Sequence, residues 1–187
     1  MRPSQNGGRL FTKIFAATEG VFGKDIYKHD VTSHIESRFK PAGRARRMLT
    51  QHGLGVATAG RGFTELTQRV QELVTASKAR AGLCQLFLRH TSASLCLTEN
   101  ADPEVRRDLE RWASRLAPDG DSLFHHDSEG PDDMPAHARN WRVIKSVPAI
   151  PVRDGRLALG TWQGIYLWEH RAQGHAREVV VTILGDV

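Results

Sequence analysis

The last third of the chain is written with a two-residue period. From Thr161 to His170, the residues Thr161, Gln163, Ile165, Leu167 and Glu169 fall on one side, and Trp162, Tyr166, Trp168 and His170 on the other. That alternation belongs to a β-strand. Asp154-Gly155 ahead of it favours the tight hairpin turn that matches strand twist, and Gln173-Gly174 turns the chain again behind it. Val179-Val180-Val181 then forms β-structure strongly, while Val147–Val152 carries Pro148 and Pro151 and reads as an edge or bulged strand. Strands joined by turns this short run antiparallel. The aromatic side of Thr161–His170 is predicted to be core, with His170 packed or at an edge. Thr161, Gln163 and Glu169 are either solvated or line a site.

Helical periods are confined to the middle of the chain. Leu54–Ala59 reads as a short strand and Gly60-Arg61-Gly62 as a turn. Thr64-Glu65 then opens a helix whose stripe is Leu66, Val70, Leu73 and Val74, ending near Ala81-Gly82. Leu83–Arg89 has the length and apolar content of a strand buried on both faces. If the chain stays extended, His90, Ser92 and Ser94 share a face. Asp102-Pro103-Glu104 is a helix start: Asp102 caps free N–H groups, Pro103 loses nothing at the first position, and Glu104 suits the positive end. Val105, Leu109, Trp112 and Leu116 recur on one face of that helix and are predicted to pack on the core. Asp132-Asp133-Met134-Pro135 looks like a further helix start, placing His137 in the first turns of a short helix to about Trp141 or Ile144. The whole is an α+β domain with a largely antiparallel or mixed sheet and a few helices.

Charge divides the chain differently. Residues 1–51 hold ten Lys/Arg against four Asp/Glu, a net +6, whereas 52–187 hold sixteen against seventeen, a net −1. The basicity belongs to an N-terminal extension, 1–51, with the run Arg38 to Arg47 broken by Pro41 and Gly43, and the domain is predicted to begin near His52. A neutral body offers no nucleic-acid face, so contact with nucleic acid or another acidic partner would fall to the extension. No apolar run approaches the roughly 20 residues of a membrane span. Cys84 and Cys96 form no CxxC and sit in apolar runs, which points to packed, reduced thiols in a cytoplasmic protein.

The chemistry concentrates between His125 and His137. These thirteen residues hold three imidazoles and four carboxylates, with Gly130, Pro131 and Pro135 shaping an irregular path. Imidazole and carboxylate are the usual protein ligands of zinc and related ions. The competing reading is an acidic, His-containing surface connection. His126 and His137 are the ligands expected from the cluster, with His90 at a strand end as the outside third, converging on a divalent ion, zinc by ligand type. Asp127, Glu129, Asp132 and Asp133 would alternatively hold Mg²⁺ with a phosphorylated substrate, because hard cations prefer oxygen. Glu129, Asp133 and Glu169 are the candidates for a general base or for a shell around the ion, and His90 for an acid. Ser92 would donate to phosphate oxygens. No GxSxG, GxxxxGK[ST] or GxGxxG occurs in a fitting context, which sets aside the usual hydrolase elbow and nucleotide loops.

Five segments carry a family resemblance: Gly60-Arg61-Gly62-Phe63, His90-Thr91-Ser92-Ala93-Ser94, Glu99-Asn100-Ala101-Asp102-Pro103, Glu129 through His137, and Gly160-Thr161-Trp162-Gln163-Gly164-Ile165. In that order, across 52–187, they resemble the YjbQ-type family, whose members are often labelled secondary thiamine-phosphate synthase. The resemblance implies a compact α+β domain, a homotrimer, and a polar His-rich pocket. The matching pocket positions are His90, Asn100, Asp102, His126, Glu129, Asp133, His137, Gln163 and Glu169, with Asn100, Asp102 and Gln163 as substrate contacts. It also implies a weak ability to join a pyrimidine diphosphate to a thiazole phosphate. Two functions are expected from these readings. The first is a metal-assisted enzyme acting on a small phosphorylated metabolite. The second is a non-catalytic trimeric metal- or ligand-binding protein with a basic arm.

Overall fold

Every strand pairing among the described residues is antiparallel. The computed structural model describes residues 46–142 and 149–187, so the basic run predicted upstream lies outside the described residues except for Arg46 and Arg47. In chain order the strands are β1 (Arg47–Ala57), β2 (Gly62–Glu65), β3 (Ala81–Leu88), β4 (Ala93–Glu99), β5 (Ala149–Arg153), β6 (Arg156–Leu157), β7 (Gln163–Glu169) and β8 (Ala176–Asp186). The helices are α1 (Thr67–Ser77), α2 (Pro103–Leu116) and α3 (Asp133–Arg142). One sheet has five strands in the order β1-β8-β3-β5-β6, and the other has three, β2-β7-β4. Among the described residues no helix is long and apolar enough to cross a membrane.

The core lies between the sheets. From the large sheet, Leu54, Val56, Cys84, Leu86, Ile150, Val152, Val179, Val181 and Ile183 point inward, spaced by two along each strand. They meet Ala93, Leu95, Ile165 and Leu167 of the small sheet, Val70 and Val74 of α1, and Leu66 just before that helix. Removing most of one such side chain, as in Leu86→Ala, costs about 2–5 kcal/mol. Asp154-Gly155 makes the expected tight turn, both residues having positive φ. Cys84 and Cys96 are free thiols.

Four sequence expectations are corrected here. Thr64 and Glu65 close β2, opposite Leu167 and Tyr166 of β7, so α1 starts at Thr67. That helix ends on left-handed Lys78, whose N–H bonds to the Thr75 carbonyl, and Ala81-Gly82 already belongs to β3. Trp162 is exposed rather than core, because it sits in the turn that Gln163 N–H closes onto the Gly160 carbonyl. In α2, Trp112 and Leu116 are exposed and Ala113 is the buried contact. The helix faces the small sheet through polar groups: Glu110 accepts the Trp168 indole N–H at 2.6 Å, and the Arg106 guanidinium lies 5.0 Å from the centre of the Tyr166 ring. Finally, the first strand is not the short Leu54–Ala59 but Arg47–Ala57, since Arg47 through Gln51 also pair with Asp186 through Thr182 of β8.

The outer face of the large sheet is apolar in one place. Leu184 stands in register with Leu49 on one side and Leu83 on the other, and all three are exposed, as is Phe87.

Candidate metal centre

Three segments meet at one end of the small sheet. They are the link from β3 to β4, the link from β7 to β8, and the loop that enters α3. β7 ends at Glu169 directly opposite Ala93 of β4, which places Ser92 beside the turn that follows β7. The Gly130-Pro131 corner bends the loop, with Gly130 at φ 116 and its N–H bonded to the Asp127 carbonyl. Asp133 N–H then bonds to the Gly130 carbonyl and Ala136 N–H to the Asp132 carbonyl, starting α3 where the sequence predicts it. Asp133 and His137, one turn apart, consequently share a face.

His126, Asp133 and His137 form the centre. One ligand atom from each lies within 4.8 Å of the other two. His126 Nε2 is 3.2 Å from Asp133 Oδ2, and His137 Nε2 is 3.4 Å from Asp133 Oδ1. Asp133 Oδ2 is sealed from solvent and accepts no well-aligned hydrogen bond, the His126 imidazole at 3.2 Å being the polar group that faces it. A carboxylate oxygen in that condition is costly unless a cation or donor faces it. His137 Nδ1 lies 3.1 Å from the Thr91 carbonyl; a carbonyl only accepts, so the proton sits on Nδ1 and the Nε2 lone pair points at the centre. With two nitrogens and one oxygen the set suits zinc or a similar ion, and the open side remains accessible through His126, whose side chain is 55 % exposed.

The centre forms one wall of a pocket of about 290 Å³, also lined by Arg89, His90, Thr91, Ser92, Glu129, Arg171 and Arg177. The pocket is charge-matched. Arg171 binds the carboxylates of Glu129, Asp132 and Asp133, Arg177 binds Glu169, and Arg89 binds Glu178. Burial pushes Asp132 up, but the Ala172 N–H and the Arg171 guanidinium outweigh it and hold that carboxyl below its ordinary range.

Several expected site residues do other work. His90 lines the pocket but lies outside the His126–Asp133–His137 group: its Nε2 accepts the Glu178 N–H at 2.9 Å, and its Nδ1 faces Arg177 Nη1 at 3.4 Å. Burial first, and then the charge of Arg177, lower its pKa, so it stands there as a neutral ring. Asp133, not His90, is the third residue whose ligand atom lies within 4.8 Å of those of His126 and His137. Glu169 is wholly buried and accepts from Arg177 Nη2 and Nε at 2.6 and 2.7 Å, from the Arg171 N–H at 3.0 Å and from the Thr58 hydroxyl at 2.9 Å. Burial raises its pKa, yet these partners prevail and hold it below the usual value. So enclosed, this carboxylate ties together Arg177, the Arg171 backbone and Thr58. Glu129 is exposed and engaged by Arg171 at 2.9 Å. Ser92 accepts from Arg177 Nη2 at 3.2 Å, leaving its own proton to donate.

Asn100, Asp102 and Gln163 lie elsewhere. Glu99 pairs with Gln163 and Ala93 with Glu169, so the two ends of the small sheet are about 20 Å apart at strand rise. At the far end, Asp102 caps α2 by accepting the Glu104 N–H at 2.8 Å, and Gln163 Oε1 accepts the Gly160 N–H at 2.9 Å. Asn100 Nδ2 reaches the Gln163 carbonyl at 3.4 Å. Within one chain these three cannot touch a ligand held by the His126–Asp133–His137 centre.

Arg171 and Arg177 are the two buried pocket residues that sequence reasoning missed. Arg177 had a signal: it precedes Val179, Val181 and Ile183 on the inward face of β8, and an arginine on a core face needs a buried partner. Arg171 had none, being one polar residue in a polar turn.

The comparisons with known proteins agree with this architecture. A family model described as UPF0047 protein YjbQ-like matches residues 52–186. A UPF0047 protein of Synechocystis sp. is 46% identical over 137 residues, covering 73% of this chain and 92% of its own. The UPF0047 protein YjbQ of Escherichia coli O157:H7 is 42% identical over 140 residues, covering 74% of this chain and all of its own. The crystal structure of an uncharacterised conserved YjbQ/UPF0047 family protein from Clostridium acetobutylicum superposes with a TM-score of 0.61 at 31% identity, covering 72% of this chain and 98% of that one.

Proposed function

The chain belongs to the YjbQ-like UPF0047 family, and on that premise we propose that it is a metal-assisted enzyme acting on a small phosphorylated metabolite. The observation that carries this reading is the buried Asp133 carboxylate with one imidazole at each oxygen, His126 Nε2 at Oδ2 and His137 Nε2 at Oδ1, on the wall of a pocket whose arginines are all paired with carboxylates. His126, Asp133 and His137 would hold the ion. Bound there, a divalent cation supplies the uncompensated positive charge that a phosphoryl or pyrophosphoryl group requires. The chain's own residues position the substrate. Ser92 donates its hydroxyl proton to a phosphate oxygen, and the His90 ring, fixed by the Glu178 N–H, offers a neutral polar wall. Weak thiamine-phosphate synthase activity is part of the proposal, slow because no dedicated two-substrate loop is present among the described residues.

The proposed working form is a homotrimer. The in-register row Leu49, Leu184 and Leu83, exposed on the outer sheet face, supports burial against other copies.

The test is a screen of phosphorylated metabolites, together with the pyrimidine diphosphate and thiazole phosphate pair, on metal-free and zinc-, manganese- or magnesium-supplied protein. Turnover should appear with metal and vanish with EDTA and in His137→Ala. Turnover that survives chelation would end the metal-assisted reading. Stoichiometric metal without turnover on any substrate would favour a binding protein.

A further inference from the structure

One guanidinium engages three of the carboxylates around the centre, Glu129, Asp132 and Asp133. Arg171 Nε donates to Asp132 Oδ2 at 3.0 Å, and Nη1 to Glu129 Oε2 at 2.9 Å and Asp133 Oδ1 at 3.1 Å. Its Nη2 donates to the Glu129 carbonyl at 2.8 Å. The Arg171 side chain is 8 % exposed and Asp133 2 %, so water cannot replace these bonds readily. The result is selective. Two of the three carboxylates in reach, Glu129 and Asp132, are paired with Arg171 and fall outside the His126–Asp133–His137 group. The third, Asp133, has one oxygen tied to Arg171 and presents the other to His126, whose Nε2 lies 3.2 Å away.

We propose that Arg171 sets the metal selectivity of this centre by withholding the Glu129 and Asp132 carboxylates, so that two imidazoles and one carboxylate oxygen are all that an ion meets. The proposal rests on the metal reading given above. Ligand chemistry supplies the reason. Mg²⁺ and Ca²⁺ require several oxygens, whereas zinc and its neighbours accept nitrogen with a single carboxylate. If Glu129, Asp132 and both oxygens of Asp133 were released, the same loop would present an oxygen-rich, strongly negative site to a hard cation. Arginine suits this task because its planar fork holds several carboxylates at fixed angles, which a lysine ammonium does not. Arg171 is thus a positioning residue that acts through the carboxylates.

The experiment measures Zn²⁺ and Mg²⁺ dissociation constants, by chelator competition and calorimetry, on the full-length protein and on Arg171→Gln, Arg171→Lys, Glu129→Gln and the Arg171→Gln/Glu129→Gln pair. In Arg171→Gln the preference for Zn²⁺ over Mg²⁺ should fall by roughly tenfold or more, as expected when a group orienting a ligand is removed. Arg171→Lys should fall between it and the unaltered protein. Adding Glu129→Gln to Arg171→Gln should cancel much of the gained Mg²⁺ binding. Glu129→Gln alone, at a side chain 70 % exposed, should leave Zn²⁺ affinity nearly unchanged, because that carboxylate is already withheld. An unchanged preference in folded Arg171→Gln or Arg171→Lys overturns the proposal. So does a roughly tenfold loss of Zn²⁺ affinity in Glu129→Gln, since losses of that size mark a group coupled to the ion. The Glu129→Gln result decides the matter even if Arg171→Gln does not fold. If the unaltered protein binds neither ion, the metal reading fails first and this inference with it.

Discussion

Asp133 and His137 stand one turn apart at the start of α3, with His137 Nε2 3.4 Å from Asp133 Oδ1. His137 is held from behind by the Thr91 carbonyl, so its orientation is set before any ion arrives. In a zinc titration followed by ¹⁵N NMR of the imidazoles, His126 and His137 should lose their free-ring Nε2 signals together, while His90, whose Nε2 accepts the Glu178 N–H, should keep its own. A response of His90 equal to that of His137 would return it to the ligand set.

Arg177 and Glu169 are both almost fully buried and joined at 2.6 Å. Removing one charge of such a pair strands the other in a medium that solvates it poorly. Glu169→Gln is therefore expected to lower the unfolding free energy by about 3–5 kcal/mol. Urea denaturation with an unchanged slope and a lower midpoint would agree, and a midpoint equal to that of the unaltered protein would not.

His170 supplies a pH dependence. Its ring is fully buried, with Nε2 2.8 Å from Ser94 Oγ and Nδ1 unpartnered. Burial first, then the charge of Arg139, lower its pKa from 6.5 to about 3. The unfolded chain thus takes up a proton near pH 6.5 and the folded chain only near 3. Stability tied to this ring is fully present above pH 6.5 and drains as the pH falls through that window, by about 1 kcal/mol per pH unit. Between pH 6 and pH 4 the unaltered protein should lose stability more steeply than His170→Gln; parallel losses would contradict the assignment.

The first five residues of β1 also make a measurable difference. A chain begun at residue 46 keeps the pairing of Arg47 through Gln51 with β8 and the packing of Met48 against the core. One begun at His52 loses both, and should be less stable by roughly 2–4 kcal/mol at about 1 kcal/mol per ladder hydrogen bond. Equal melting temperatures for the two chains would place the effective boundary at His52 after all.

Much of the fold was legible because its signals are local. Alternation marked β7, Asp154-Gly155 marked the hairpin of β5 and β6, and Asp132 through Pro135 marked α3. What failed was long-range. Thr64 and Glu65 read as helix because their partners Leu167 and Tyr166 are a hundred residues away. Trp112 and Leu116 carried a periodic apolar face, but α2 docks through Glu110, Arg106 and Ala113. At the site, the density of His and Asp in residues 125–137 located the centre. His90 and Glu169 were drawn toward it because sequence shows which ligand types are near, not which lone pairs a backbone N–H or a buried arginine has already taken.

The central claim is tested most directly by metal analysis of the purified full-length protein beside His126→Ala, His137→Ala, Asp133→Asn and His90→Ala, each checked for folding. The account predicts about one zinc-like ion per chain, as for a three-ligand catalytic site, lost in the first three variants and retained in His90→Ala. Full metal content in His137→Ala and Asp133→Asn, or none in the unaltered protein after zinc loading, would contradict it.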